Sequence, residues 1–211
     1  MEDLKRVILV CASGDSPLSP SFIQPDDYVV GIDRGAAYCL KHNIHMDKVV
    51  GDFDTLDENS LSQIKEKDFD IASLPVVKDV TDTAYAVTLF PEAKEIIVFG
   101  GIHGYRKEHF LANLSLCIQD ARVSLFDHDS FALVVSKGIH QIDSLGMRFF
   151  SLFPLEKTRI HLEGFKYQFP DEDIDMPNPL GVSNEFSRPL GQVEIKKGKA
   201  IIIVSAYHPI S

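Results

Sequence analysis

Between residues 6 and 126, short apolar, β-branched runs alternate with segments of helical periodicity, and this alternation restricts the chain more than any other feature of its sequence. The strand-like runs are RVILVC, YVVGI, KVV, IASLPVV, EIIVFGG and ARVSLF. Between them GAAYCLKH, ENSLSQIKE, DTAYAVTLF and EHFLANLSLCIQDA read as helices. In the last of these Phe110, Leu114, Cys117 and Ala121 recur at helical spacing, and Leu111 and Ile118 widen the same expected face. Strands apolar throughout and separated by helices imply a mainly parallel sheet with helices on both faces. Sheets of that kind bind ligands outside the carboxyl ends of their strands.

After residue 127 the helical signal stops. FALVV, HQIDS, RFFSLFPL, RIHLEGFKYQF, QVEIKKG and KAIIIVSAY follow as closely spaced β runs. Gly138, Gly146, Gly164, Gly191 and Gly198 sit between or at the ends of these runs, where turns or bends need them. The segment FPDEDIDMPNPLGVSNEFSRPLG breaks the pattern and reads as a long loop able to carry function. The expected fold is therefore α/β: a mainly parallel N-terminal domain over residues 1–126, then a smaller all-β sandwich over 127–211.

Composition narrows the partners. With 21 Lys plus Arg against 31 Asp plus Glu, the net charge of −10 argues against a surface that tracks nucleic-acid phosphates. Cys11, Cys39 and Cys117 are odd in number and embedded in apolar runs, which suits buried structural thiols of a reducing compartment. The apolar run near the N-terminus is too short for a signal-peptide core, and no stretch reaches membrane-spanning length. The expected location is the cytoplasm.

Four features fall at or near strand ends of the first domain. In GDFDT, side-chain alternation along an extended segment puts Asp52 and Asp54 on one side and turns Phe53 away, with Gly51 leaving room for a cation to approach. In KDVTDT, Lys78, Asp79, Thr81 and Asp82 occupy the turn that opens a helix. Ser13 and Gly14 in CASGDSP, and Asp33 and Gly35 in GIDRGA, form small-residue turns where backbone N–H groups can approach an anion. FGGIHGYRKEHF offers three glycines, then Arg106 before a helix whose positive end suits phosphate.

Taken singly, an acid pair is often a solvated turn, and Thr-Asp before a helix is usually a cap. Together, three acids and two cationic residues after separate parallel strands favour a site for Mg²⁺ and a nucleotide. Neither a Walker sequence nor the protein-kinase set is present, so phosphoryl or pyrophosphoryl transfer would run on an unrelated scaffold. His42 and His45 lack companions at zinc spacing and read as surface residues. His103 and His109 flank Arg106 and rank below the acids.

These pieces, in this order, resemble the thiamine pyrophosphokinase family, whose members transfer pyrophosphate from ATP to thiamine. GDFDT stands for the family's GDxDS, KDVTD for KDxTD and YRKEHFLAN for GRxDHxxAN, while SLFPL, GFKY and GVSNE match later segments. The resemblance implies that Asp52, Asp54 and Asp82 hold Mg²⁺ and that Lys78 and Arg106 contact phosphate. It places Asp33 in the same cleft and implies an ATP-binding catalytic first domain; Gly14 and Thr81, read from their strand-end turns, are expected to join the nucleotide contacts. It also implies a thiamine-binding second domain using Ser183 and Asn184, with Tyr167 as an aromatic candidate. The substrates would be thiamine and ATP, and the assembly a homodimer with active sites between subunits. Arg34 stands where a small residue is usual, Tyr105 replaces Gly, and Glu108 replaces Asp, which leaves the roles of Glu108 and His109 open. Two other readings use the same residues: an Mg²⁺-dependent phosphohydrolase, and a non-catalytic thiamine or nucleotide sensor.

Overall fold

The computed structural model describes residues 5–12, 18–19, 22–54, 56–66, 69–75, 79–104, 106–176 and 180–206. It separates into two compact units, Met1–Leu116 with Arg122–His128, and Cys117–Ala121 with Asp129–Ser211. The α/β fold class expected from the sequence is the one observed.

Among the described residues the first unit holds six strands: β1 (Arg6–Val10), β2 (Tyr28–Ile32), β3 (Lys48–Gly51), β4 (Asp70–Ser73), β5 (Glu95–Phe99) and β6 (Val123–Phe126). All are parallel, in the order β6-β5-β1-β2-β3-β4. Helices α1 (Arg34–Lys41), α2 (Glu58–Glu66), α3 (Asp82–Thr88) and α4 (Lys107–Gln119) follow β2, β3, β4 and β5. The chain winds outward from β1 to β4, then crosses back to β5 on the other side of β1. That reversal opens a crevice at the carboxyl ends of β1 and β5, where such sheets take ligands.

β1 is central, and its residues Val7 to Val10 are fully buried, which is why this run is apolar on both faces. Ile8 and Val10 join Tyr38 and Cys39 of α1, Met46, Ile64 of α2 and Phe99 of β5 in one core cluster. Each such side chain contributes about 1.5–3 kcal/mol by leaving water. β4 is the exposed edge, and a cross-strand contact between Lys48 and Asp70 pins it to β3.

The second unit is built on two long antiparallel strands, β7 (Ser130–Asp143) and β12 (Leu190–Ser205). Along its other edge β12 pairs β9 (Thr158–Glu163) over its first half and β8 (Phe149–Pro154) over its second. β10 (Phe169–Ile174) extends the β9 side, and the short β11 (Asn184–Glu185) extends the β8 side. Two sheets thus share β7 and β12, and Phe150, Leu152, Ile160, Leu162, Phe165, Val193, Ile195 and Ile202 are buried within the unit.

Four local expectations are corrected. Gly138 and Gly198 do not separate strands. They lie inside β7 and β12, where positive φ values of 147° and 89° accompany the shift in β12 register between Ile195 and Lys199. The long loop from 169 contains β10 and β11. Leu111 is 61% exposed, and the buried positions of α4 are Asn113 and Cys117. Finally, Asp52 to Asp54 is not extended: β3 stops at Gly51 and Phe53 takes a left-handed φ of 61°. Among the described residues no helix is long and apolar enough to cross a membrane.

The start of α1 approaches β1 so closely that a Cβ on Gly35 would stand 1.7 Å from the Val10 carbonyl oxygen. Gly35→Ala is expected to lower stability by about 1–3 kcal/mol through overpacking, read as a lower urea midpoint at unchanged slope. An unchanged midpoint would mean that the helix moves off β1 without cost.

Candidate active site

Five segments at the carboxyl ends of the first unit's strands surround a cleft of about 490 Å³. Cys11 follows β1, Asp33 and Arg34 follow β2, and Asp52 and Asp54 follow β3. Asp82 opens α3, and Gly100, Gly101, His103, Gly104, Arg106, His109 and Asn113 come from the β5–α4 region. The sequence-derived residues Asp33, Asp52, Asp54, Asp82, Arg106 and His109 therefore share one cavity.

Backbone constraint aims the acids. Asp33 has φ 45° and ψ −115°, which turns its side chain away from the usual capping role at α1. Its N–H donates to the Val50 carbonyl at 3.0 Å, and its Oδ1 accepts from the Phe53 N–H at 3.5 Å, so β2 and the turn after β3 are tied together. A Cβ on Gly51 would lie 1.9 Å from Asp33 Oδ1. Glycine at 51 is thus needed to admit Asp33. The left-handed Phe53 keeps its ring partly buried against the core while Asp52 Oδ1 accepts from the Asp54 N–H at 3.3 Å. It is a turn, and not strand alternation, that brings both carboxylates to the cleft.

Crowding sets the electrostatics. Burial, then the negative charge and the hydrogen bond of Asp82, push the Asp33 carboxyl up from 3.8 to about 7, and the Phe53 N–H only partly offsets them. Burial pushes the Cys11 thiol up to about 12, and it lies 3.4 Å from Thr83 Oγ1. The Cys39 and Cys117 thiols are raised to about 12 by burial too. All three are free thiols held neutral, in agreement with a structural role.

The remaining expected residues divide. Thr81, expected among nucleotide contacts, caps α3: its Oγ1 accepts from the Ala84 N–H at 3.1 Å, and it does not line the cleft. Glu108 accepts from Arg106 Nε at 2.8 Å, and that contact holds its carboxyl below the usual range. It reaches the cleft through Arg106. Gly14 and Lys78 lie outside the described residues.

Ser183, Asn184 and Tyr167 belong to the second unit. Ser183 is exposed with φ 57°, and Tyr167 is 57% exposed. Asn184 is 2% exposed, and its amide bonds the backbone. Its Oδ1 accepts from the N–H of Tyr167 at 3.0 Å and of Glu185 at 2.9 Å, and its Nδ2 donates to the Tyr167 carbonyl at 2.7 Å. It holds the turn that presents Tyr167.

Sequence reasoning missed Asn113, Asp127 and the place of Cys11. Asn113 is 7% exposed and donates from Nδ2 to the Gly101 carbonyl at 3.1 Å. A polar amide on the apolar stripe of α4 was the available signal. Asp127 is 3% exposed just past β6, and its Oδ2 accepts from the N–H of Ile102 at 3.0 Å and of His103 at 2.7 Å. Its partners became visible only in three dimensions.

The carboxylates Asp33, Asp52, Asp54 and Asp82 offer oxygen donors, and Arg34 and Arg106 lie on the same cavity, a chemistry suited to a hard divalent cation and polyphosphate oxygens. Among the described residues no three acid, His or Cys side chains converge to bind a metal by themselves. Mg²⁺ is ordinarily held by one or two carboxylates plus water and substrate phosphates, so the residues fit such an ion.

These features define an α/β protein with an acidic ligand cleft at the topological reversal of its sheet. Comparison with known proteins carries this further. The family model "Thiamin pyrophosphokinase, catalytic domain" matches residues 20–126, and "Thiamin pyrophosphokinase, vitamin B1 binding domain" matches residues 139–202. A thiamine pyrophosphokinase of Bacillus subtilis (strain 168) is 27% identical over 211 residues, covering 95% of this chain and 99% of the relative. The crystal structure of thiamine pyrophosphokinase from Bacillus subtilis superposes with a TM-score of 0.86 at 26% identity, covering 97% of this chain and 100% of that one. The yeast thiamin pyrophosphokinase structure shares the fold, with a TM-score of 0.76 at 14% identity over 98% of this chain and 88% of that one. The chain belongs to the thiamin pyrophosphokinase family.

Because Asp33 binds its proton more tightly in the folded than in the unfolded state, it favours folding below pH 3.8, and this advantage is lost as pH rises to about 7. In metal-free buffer, Asp33→Asn is therefore expected to raise the melting temperature at pH 8 by a few degrees and to leave it little changed at pH 4. Equal melting curves for the two proteins at pH 8 would contradict the crowding.

Proposed function

We propose that the chain is a thiamine pyrophosphokinase that transfers the terminal pyrophosphate of ATP to the hydroxyl of thiamine, giving thiamine diphosphate and AMP. The observation that carries this reading is the convergence of Asp33, Asp52, Asp54 and Asp82 with Arg34 and Arg106 on one cleft. Asp52, Asp54 and Asp82 are the residues we assign to Mg²⁺, which when bound would supply positive charge to the polyphosphate oxygens.

In the reaction an O–P bond forms between thiamine and the β-phosphorus. The bond from that phosphorus to the oxygen bridging the α-phosphorus breaks, and the hydroxyl proton is released. Arg106, steadied by Glu108, and Arg34 meet the phosphate charge that develops on the leaving AMP, and Lys78 is assigned to the same task. A loose transition state needs positioning more than a strong base. The first unit is assigned to ATP and the second to thiamine, with Ser183 and Tyr167 as contacts and Asn184 holding the Tyr167 turn.

Homodimerisation is part of the same proposal. Tyr167, Met176, Leu180 and Val182, around the Ser183 segment, are between 41% and 57% exposed, more apolar surface than a solvated loop needs. A monomer in sedimentation velocity would remove it. The three free thiols suit a reducing compartment such as the cytoplasm.

Incubation of the purified protein with ATP, Mg²⁺ and thiamine is expected to yield thiamine diphosphate and AMP in equal amounts, and chelation of the metal should stop both. ADP or free phosphate without thiamine diphosphate would replace this reading with a phosphohydrolase. Binding of either substrate without product would indicate a sensor.

A further inference from the structure

The loop from Gly100 to Gly104, between β5 and α4, is fastened from below by one buried carboxylate. Asp127 Oδ2 accepts from the backbone N–H groups of Ile102 and His103, at 3.0 and 2.7 Å, and lies 3.2 Å from His103 Nδ1. The Asp127 side chain is 4% exposed, while that of His103 is 63% exposed and lines the acidic cleft. Two loop N–H groups that would otherwise suit an anion are thereby spent on Asp127. What the loop offers the cleft at this point is the imidazole. A carboxylate oxygen accepts, so Nδ1 is the donor in this pair and Nε2 is the ring's second polar atom.

We infer that Asp127 is a positioning residue for the nucleotide, acting through His103, whose imidazole it presents to the polyphosphate as a contact additional to Arg34 and Arg106. The inference rests on the transfer reading above and adds residues to it. With a phosphate oxygen at the ring, the imidazole donates from both nitrogens: Nδ1–H to Asp127, and Nε2–H to the phosphate. The carboxylates elsewhere in the cleft make such a donor useful, since they repel an anion wherever a cation does not intervene.

The test is the steady-state kinetics of His103→Gln, Asp127→Asn and the double variant, with direct calorimetric binding of Mg·ATP. His103→Gln is expected to raise KM for ATP about tenfold, the loss of one charge-assisted hydrogen bond, with kcat and the KM for thiamine changed less than about threefold. Asp127→Asn should raise the same constant, and the double variant should be no worse than the larger single, because the two residues act as one unit. His103 is exposed, so its variant remains informative if Asp127→Asn fails to fold.

An unchanged KM for ATP in His103→Gln would reduce Asp127 to a loop fastener and overturn the inference. A fall in kcat alone would overturn it too, by placing the imidazole at the hydroxyl proton. Failure of the transfer reading is separately visible. In a protein that makes no thiamine diphosphate, weaker Mg·ATP binding by His103→Gln would uphold the nucleotide contact while the transfer reading falls.

Discussion

Mutual repulsion among carboxylates at the open end of a parallel sheet is the constraint around which the first unit is arranged. Asp33, Asp52, Asp54 and Asp82 come from three successive strand–helix connections, and burial beside Asp82 is enough to lift Asp33 to about 7. A folded chain does not hold acids in this way for stability, since each would be better solvated apart. The left-handed backbone at Asp33 and Phe53 and the side-chain-free Gly51 all serve to hold them there. Strain and charge concentrated at one place, in a fold whose strand ends take ligands, are what the proposed binding of a positively charged partner would draw on.

The supporting structure follows from that arrangement. Buried β1 and the close approach of Gly35 to Val10 fix the start of α1 and hence Asp33. On the far side, Asn113 and Asp127 secure the Gly-rich connection by side-chain hydrogen bonds, so that Arg106 and His103 meet the acids from a fixed loop. In the second unit a comparable device operates: the Asn184 amide is saturated by the backbone around Tyr167. In each case a buried polar side chain holds by hydrogen bonds the backbone that carries more exposed residues.

Much of this was legible from the sequence, because both periodicities are local properties. Unbroken apolar runs such as RVILV could only be strands covered on both faces, and acids placed directly after such runs had to lie on the sheet's carboxyl edge. What escaped were consequences of distant pairing. Gly138 and Gly198 look like turn residues until β7 and β12 are seen to bend together. Alternation in GDFDT failed because the strand ends at Gly51, the motif's first residue, and Phe53 packs inward against the core. Thr81 and Asn184 carry side chains equally suited to a ligand or to a backbone N–H, and only the fold shows that the backbone has claimed them.

The most direct test of the carboxylate site is ATP affinity measured with and without Mg²⁺ for the native chain and for Asp54→Asn and Asp82→Asn. If the acids exist to hold a cation against polyphosphate, Mg²⁺ strengthens ATP binding in the native protein and that gain collapses in both variants. ATP binding indifferent to Mg²⁺, or an undiminished gain in the variants, would show that the crowded carboxylates serve another purpose.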